Sequence, residues 1–362
     1  MYICRSDENK YLVKRMPLTG VLHDPGCDSY EMPPELSGRG ALGQKAIQED
    51  ENEGLTRLRL DFSMSKRATS AAPATKTKTA GNQQPSVSAD PAKLSLRSLL
   101  HLLYEDAGLN RWSPRMAGKR NWFIVRKYLT EAACGKVAGR RPITDTLLIP
   151  EPFSVELKDT ILDRRSHYFA NLKESGSKQP LGLLIGEVKN IEPARFGYRM
   201  MIKHLPDLPL YLPDNLHERL SKNFSTELAF FNEDPSIHLV CICTFTRSPT
   251  GNLQADTLSL MPVDQNWLPF EDRSELDLID RLVRHGRYFT KCLRYNLKQS
   301  DAIASLLLTD TADTPTVVYV MPESVTDTYH EKLNWLLENS ELPYELINAG
   351  AIPDTGIPLD NA

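Results

Sequence analysis

The sequence predicts a multidomain α+β protein, and three observations lead to that prediction. First, a stretch with almost no large apolar side chains separates a short N-terminal piece from the rest of the chain. Second, strand-like segments fill the middle of the chain. Third, helices and strands are mixed toward the C-terminus. The 362 residues, 41% of them hydrophobic, are enough for two or three compact cores. We divide the chain into an N-terminal segment (1–65), a flexible linker (66–92), a basic helical segment (93–150), a β-rich middle domain (151–270), a C-terminal α/β domain (271–350) and a tail (351–362).

The N-terminal segment contains half of a zinc site. In "TGVLHDPGCDSY", His23 lies four residues before Cys27, and a structural zinc takes four Cys or His ligands, often as two close pairs. Cys4 is the one other cysteine of this segment. We therefore predict His23 and Cys27 as ligands of a zinc-knuckle-like piece whose site is incomplete in this chain. A turn with a buried thiol is the alternative.

Two other cysteines offer a further way to complete that site. Cys241 and Cys243 lie two residues apart in the apolar run "IHLVCICTFT", so their side chains share one strand face and are expected in the core. A zinc site that joins them to His23 and Cys27 is the second alternative.

The linker and the strands before it follow from composition. Residues 66–92 are rich in Ala, Thr, Ser, Lys and Pro, so they bury too little apolar surface to offset the entropy of ordering. Before the linker, "YLVKRMP" and the alternating "TRLRLDFSMS" predict strands.

Two amphipathic helices follow the linker. "SLRSLLHLLYEDAGL" has leucines at helical spacing and ends at Gly108, a suitable C-cap. After the turn "NRWSPRMAGKR", "NWFIVRKYLTEAACG" predicts a second helix. Together they give the outline of a helix-turn-helix-like unit.

This segment is also strongly basic. Between Arg97 and Arg141 there are ten Lys or Arg and three acids, a local net charge of +7 in a chain of net charge −4. Cations neutralise phosphates and flat rings stack on bases, so we predict a nucleic-acid contact here. The predicted contact residues are Arg111, Trp112, Arg115, Lys119, Arg120, Trp122, Arg126 and Lys127. The alternative is that the rings fill a helix–helix core and the cations form a solvated face.

In the middle domain, four strand-like runs and one helix ("LHERLSKNFSTELAFF") are predicted, and "RSPTGNLQ" is expected to turn the last two strands into a hairpin. The run "LGLLIGEVKNI" places Glu187 two residues before Lys189, a spacing that metal-dependent nucleases use beside Mg²⁺. Asp159 or Asp163 would be the upstream acid. The same spacing is also common on solvent-facing strands.

From residue 272 the predicted order is helix, three strands, helix, strand. That αβββαβ order is the core of the restriction-endonuclease-like fold, in which the second strand ends in a metal-binding Asp and the third carries Glu-x-Lys. Asp310 ends the second strand, but the third reads "TVVYVM" and has neither acid nor Lys. Hydrolysis needs the carboxylates that hold the ion, so we predict a degenerate, non-cleaving domain and assign no catalytic residue.

Several classes are excluded or disfavoured by what the sequence lacks. No apolar run is long enough to span a bilayer, the first residues do not form a signal peptide, and no Walker A, Gly-x-Gly-x-x-Gly, Gly-x-Ser-x-Gly or His-Glu-x-x-His motif is present. We expect a cytoplasmic protein with reduced or metal-bound cysteines and without membrane partners.

The stretches "YLVKRMPLTGVLHDPGCDSYEMPPELSGRG", "AGLNRWSPRMAGKRNW", "LIGEVKNIEPARFGYRMMIKHLPDLP" and "RYFTKCLRYN" resemble the bacterial family called domain of unknown function 1173. The resemblance covers nearly all of the chain except the linker and the extreme C-terminus. It implies membership of a family without an assigned activity whose members are often carried on mobile elements. It also implies a Cys-x-Cys pair upstream of Met1 that would complete a zinc site with His23 and Cys27. Either Met1 is an internal start or this protein has lost the site.

The leading hypothesis is a non-catalytic, nucleic-acid-associated accessory protein of a bacterial mobile element, with DNA favoured over RNA and a protein partner from the same element. Zinc is the cofactor that His23 and Cys27 suggest, with a site that is incomplete in this chain. One alternative is a metal-dependent nuclease that uses Glu187 and Lys189 with Asp163, or Asp310 with another acid. The other is a protein-interaction scaffold whose basic face meets an acidic partner.

Overall fold

The structure is a computed structural model that describes residues 2–7, 10–14, 20–24, 27, 30–43, 45–50, 54–67, 92–172, 178–311 and 314–352. Helices and several sheets are mixed along these residues, so the predicted α+β class is confirmed. The helices are α1 (Leu96–Asp106), α2 (Trp122–Ala133), α3 (Lys158–Asn171), α4 (Asp214–Asn223), α5 (Ser225–Glu233), α6 (Arg273–Arg284) and α7 (Asp327–Asn339). In the described part of the chain, none of the helices combines the length and apolar character needed to cross a membrane.

The strands are short near the N-terminus and long in the middle of the chain. They are β1 (Tyr2–Asp7), β2 (Lys10–Lys14), β3 (Ile47–Asp50), β4 (Leu55–Leu58), β5 (Ser65–Arg67), β6 (Arg111–Trp112), β7 (Lys136–Ala138), β8 (Arg141–Pro142), β9 (Leu147–Leu148), β10 (Lys178–Pro180), β11 (Gly182–Pro193), β12 (Tyr198–Ile202), β13 (Leu210–Leu212), β14 (His238–Arg247), β15 (Leu253–Val263), β16 (Phe289–Lys291), β17 (Leu306–Leu308), β18 (Thr316–Met321) and β19 (Tyr344–Asn348).

The middle of the chain closes into a five-stranded barrel. The strands hydrogen-bond in the order β11–β12–β13–β15–β14 and back to β11. Neighbours are antiparallel except β13 and β15, which are parallel, and α4 and α5 connect the third strand to the fourth. This order of 1-2-3-5-4-1, with a helical connection after the third strand, is the topology of the oligonucleotide/oligosaccharide-binding (OB) fold.

The barrel interior and half of its outer surface are buried. Strand alternation points residues such as Leu184, Met200 and Leu210 into the barrel, where Leu216 and Leu220 of α4 pack against the same cluster. On the opposite side of β11, β14 and β15, outward-facing side chains such as Ile185 and Val240 pack against α1 and α2 in a second core. No residue of β12 or β13 belongs to this second core, and on their outer face Arg199 is exposed and Tyr211 is half-buried.

A second sheet forms in the C-terminal region. Its order is β19–β18–β17–β16–β6, with β18 and β19 parallel and the other neighbours antiparallel. Side chains of β18 alternate between a core that contains α6 and a core that contains α7, so the two helices cover opposite faces of the sheet. The helix, three strands, helix and strand expected from residue 272 are all present in that order.

Two expectations about the helices need correction. The connection between α1 and α2 is not a short turn, because it contains β6, which pairs with β16 in the C-terminal sheet, and a 3₁₀ helix at Pro114–Met116. The pair is therefore not a helix-turn-helix unit, although Gly108 does end the first helix with a positive φ of 65°. The single helix expected between the strands of the middle domain is broken at Phe224 into α4 and α5.

The structure describes only part of the predicted linker, so the linker and the predicted domain boundaries can be compared with it only in part. Residues 68–91 lie outside them, whereas Ser65–Arg67 forms β5 and pairs with β10. One core cluster takes side chains from the N-terminal segment, the basic segment, the barrel and the C-terminal region, including Leu58, Leu99, Ile185 and Tyr295. The predicted division of the chain therefore stays a prediction.

Candidate functional site

The uncovered outer face of β12 and β13 is the candidate site. Met200 and Ile202 of β12 and the ends of β13 point into the barrel, so Arg199 and Tyr211 point outward. These two residues are direct partners in the register of the strands. The Arg199 Nε atom donates a hydrogen bond of 2.7 Å to Glu192 on β11. The face thus presents an aromatic ring and a guanidinium side by side.

A tight turn at one end of this face holds a phenylalanine in solvent. Between β11 and β12, the N–H of Ala194 donates to the carbonyl of Gly197 at 3.0 Å. Gly197 has a φ of 72°, and a Cβ there would lie 2.4 Å from the carbonyl oxygen of Leu212, so glycine is required. The turn leaves Phe196 81% exposed, with the guanidinium carbon of Arg195 5.3 Å from its ring centroid.

The hairpin between β14 and β15 supplies a further cation. Arg247 is exposed at the end of β14, and its guanidinium carbon lies 4.4 Å from the ring centroid of Phe169. The turn is closed by a hydrogen bond from the N–H of Ser248 to the carbonyl of Asn252. In OB folds the second and third strands and the loops between strands one and two and between strands four and five form the ligand surface. Arg195, Phe196, Arg199, Tyr211 and Arg247 lie on the corresponding elements here, and we call them the barrel-face residues.

Glu187 lies within the same barrel but is engaged by cations. Its side chain is buried and accepts hydrogen bonds from Lys203 Nζ and from His238 Nδ1, the latter at 2.6 Å. Burial alone would raise the pKa of Glu187, but these hydrogen bonds and charges hold it below the usual value. Lys189 is exposed beside a register shift of β11, and Asp163 is exposed on α3. Among the described residues, no three His, Cys, Asp or Glu side chains come together as a metal site.

Asp310 is also held by a cation. It lies two residues after the end of β17, and both of its oxygens accept hydrogen bonds from Arg287, at 2.9 and 3.0 Å. The N–H of Tyr288 donates to it as well. The neighbouring strand β18 is largely buried and offers no acid or lysine. Asp310 therefore serves as an ion-pair partner within the sheet.

The structure divides the predicted nucleic-acid contact residues into two groups. Trp112 and Trp122 are 3% and 4% exposed, so their rings cannot stack on bases in this conformation, which corrects that part of the prediction. Trp122 packs 5.7 Å from Trp267 between ring centroids, and its indole N–H donates to the carbonyl of Pro150. Arg115, Lys119 and Lys127 are exposed.

The other three arginines of that set bind backbone carbonyls. Arg111 donates to Tyr30, Arg126 to Ile149, and Arg120 to Leu109 and Asn266. Burial lowers the pKa of Arg120 to about 10. The exposed rings of this segment are instead Phe123 and Tyr128, which the helical phase of α2 places away from the buried Trp122, Val125 and Leu129. The helical spacing of Trp122, Val125 and Leu129 therefore indicates which side of α2 is buried.

The predicted zinc ligands lie near each other. The Sγ atom of Cys27 is 3.7 Å from Nδ1 of His23 at the surface. The side chain of Cys4 and residues 25, 26, 28 and 29 lie outside the described residues, so the zinc site stays a prediction. Cys241 and Cys243 are buried in the barrel interior, as expected of core cysteines, and burial raises the pKa of both thiols. They do not approach His23 and Cys27 as a metal group in the described chain.

Comparison with known proteins gives a family and no function. No curated protein matches the chain, and no solved structure matches it. One family model, described as "Protein of unknown function (DUF1173)", matches residues 1–344. The match covers the barrel, the basic segment and nearly all of the C-terminal sheet, and the chain belongs to this family.

Proposed function

We propose that the protein binds single-stranded nucleic acid across the outer face of β12 and β13, as an accessory protein of a bacterial mobile element without nuclease activity. One observation carries the proposal: a barrel with OB strand order exposes Phe196 and nearby cations on the elements that OB folds use for ligands. Topology alone does not establish function, so the side chains matter more than the strand order.

The chemistry of the barrel-face residues favours an unpaired strand. Bases stacked within a duplex do not offer their faces, whereas a single strand can lay a base on an exposed ring, which contributes about 1–3 kcal/mol per base. Phe196 is held by a glycine-dependent turn, so little ordering is needed on binding. Arg195, Arg199 and Arg247 lie on the same elements to neutralise phosphates.

The exposed part of the basic segment is a second contact in this proposal. Arg115, Lys119 and Lys127 carry the charge, and Phe123 and Tyr128 offer rings on the outer side of α2. These residues take the place of the buried tryptophans in the predicted contact. We propose that they bind phosphates of the same nucleic acid outside the barrel.

The C-terminal sheet has the element order of a restriction-endonuclease-like core, and we propose that it is a non-cleaving relative. The support is local: Asp310 is paired with Arg287, and β18 lacks the acid and lysine of the active enzymes. The protein should therefore leave labelled DNA intact with Mg²⁺ or Mn²⁺.

The test is fluorescence anisotropy with labelled single-stranded and duplex DNA and RNA of equal length, at about 50 and 200 mM salt. We expect tighter binding to single strands and weaker binding at the higher salt. Phe196→Ala should weaken single-strand binding about tenfold or more, from the loss of one stacked base. Trp335→Ala removes another exposed aromatic ring, on α7, and should change nothing. Equal affinity of Phe196→Ala and the unmodified protein would refute the assignment of the face.

A further inference from the structure

A cavity separate from the β12–β13 face lies between α2, α3 and the chain around β9. Its volume is about 190 Å³. Three arginines line it: Arg126 from α2, and Arg164 and Arg165 from α3. Apolar side chains form much of the remaining wall, and they include Leu147, Leu148, Ile149, Ile161 and Leu205.

The arginines of the cavity are arranged around an internal carboxylate. One oxygen of Glu151 lies 3.5 Å from Arg126 Nη2, and the other accepts a hydrogen bond from Arg164 Nη2. A single carboxyl group therefore bridges two guanidinium groups at the cavity wall. Guanidinium groups match the planar geometry of carboxylates. Arg165 is bound to Asp207 instead, and this ion pair holds it in place.

The cavity wall and volume restrict what a ligand can be. Leucine and isoleucine side chains favour an apolar body, and Tyr168 of α3 adds an aromatic ring whose hydroxyl is already bound to the carbonyl of Thr146. An apolar cavity of about 150 Å³ accommodates benzene, so about 190 Å³ suits a single ring with a small polar group.

We propose that this cavity binds a small organic carboxylate with an aromatic or branched aliphatic body. The apolar body of the ligand lies against the leucine and isoleucine side chains. Its carboxylate binds the guanidinium groups of Arg126 and Arg164 in place of Glu151, which bridges them in the structure. Glu151 is then a competing internal anion whose charge weakens ligand binding. The inference is independent of nucleic-acid binding, because none of the barrel-face residues lines the cavity.

The experiment uses benzoate as the probe, with titration calorimetry and saturation-transfer NMR on the full chain. We expect a Kd on the order of 1 mM or lower. Benzamide has the same ring without the charge and should bind far more weakly. Inorganic phosphate has the charge without the ring and should also bind weakly.

Two substitutions should move the affinity in opposite directions. Glu151→Gln removes the competing charge and should tighten benzoate binding about threefold to fivefold. Arg164→Gln should weaken it by a similar factor, and this side chain is 55% exposed, so folding is not at risk. Arg273→Gln changes another exposed, carboxylate-paired arginine, on α6, and should have no effect.

Three results would overturn the inference. These are no benzoate signal up to about 10 mM for both the unmodified protein and Glu151→Gln, equal binding of benzamide or phosphate, and unchanged affinity in Arg164→Gln. The ligand signal does not depend on any oligonucleotide, so it can fail or succeed whatever the outcome for Phe196.

Discussion

The basic segment around α2 and the turn between β11 and β12 both combine arginines with aromatic rings, but the structure uses them in opposite ways. In the basic segment, Trp122 is buried against Trp267, and Arg120 binds backbone carbonyls. In the turn, Arg195 and Phe196 are both exposed, and the Arg195 guanidinium carbon lies 5.3 Å from the centroid of the Phe196 ring. The difference lies in backbone context. A ring in phase with a helix's apolar side joins the core, whereas a ring on a glycine turn stays in solvent.

The barrel likewise has one side that is covered and one side that keeps exposed residues. On the covered side of the barrel, outward-facing residues of β11, β14 and β15 such as Ile185, Val240 and Met261 are buried against α1 and α2 and cannot contact a ligand. The β12 and β13 side keeps Arg199 exposed and Tyr211 half-buried. The sequences of the strands differ in the same way, because β11 and β14 contain continuous apolar runs that predict burial on both faces, whereas β12 includes Arg199 among its apolar residues.

The largest difference in stability is expected between substitutions of two adjacent aromatic residues of α2. Trp122→Ala empties a core position and should lower the free energy of unfolding by about 3–5 kcal/mol. Phe123→Ala, one residue later and 60% exposed, should change it by about 0.5 kcal/mol or less. Urea unfolding followed by circular dichroism measures both. Similar losses in the two variants would contradict the burial that we assign to α2.

An intermediate effect is expected at the buried carboxylate of the barrel. Glu187→Gln leaves Lys203 and His238 without their anion and should cost about 1–3 kcal/mol at neutral pH. Because the pKa of Glu187 is lowered in the folded protein, its contribution is present above its unfolded value of 4.5 and is lost as the pH falls through the folded value. The unmodified protein should therefore lose this increment in acid, and Glu187→Gln should not.

Urea unfolding at neutral pH and at a pH below the folded pKa measures that increment. Glu192→Gln is the control, since Glu192 is paired with Arg199 at the surface. A difference between Glu187→Gln and the unmodified protein that is the same at both pH values would contradict the ion-pair role.

The smallest expected effect is a difference in the salt dependence of binding between the arginines of the barrel and the cations of the basic segment. Changing Arg195, Arg199 and Arg247 together to Gln should reduce the salt dependence of single-strand binding, the slope of log K against log salt, by about 2. Changing Arg115, Lys119 and Lys127 should reduce it by about 1 or less, because a strand across the barrel reaches fewer of them. Anisotropy titrations over a salt series give both slopes. If the second set gives the larger change in slope, the surface around Arg115, Lys119 and Lys127 is the main contact.

Much of the fold follows from local patterns. The run "TVVYVM" is buried on both faces of its sheet, and β18 covers the same six residues. The leucines of α1 and its C-terminal glycine were sufficient to place that helix. β13 could not be predicted, because three residues between prolines show no period. Without β13 and its parallel pairing to β15, a barrel cannot be distinguished from an open sheet.

The candidate site was less accessible to sequence reasoning. Phe196 is a lone aromatic residue in a polar turn, so no periodicity marks it. The signal that was available is Gly197 directly after it, between two predicted strands. The tryptophans lie among cations, which predicts stacking on bases, yet the spacing of Trp122, Val125 and Leu129 indicates an inward helix face.

The most direct measurement is photochemical crosslinking of a single-stranded oligonucleotide carrying 5-bromouracil, followed by mass spectrometric mapping of the attached peptides. We expect adducts at Phe196 and Tyr211, and we expect unlabelled single strand, but not duplex, to compete them away. Adducts confined to Phe123 and Tyr128, or no adduct in a complex that anisotropy shows to form, would contradict the barrel face as the binding site.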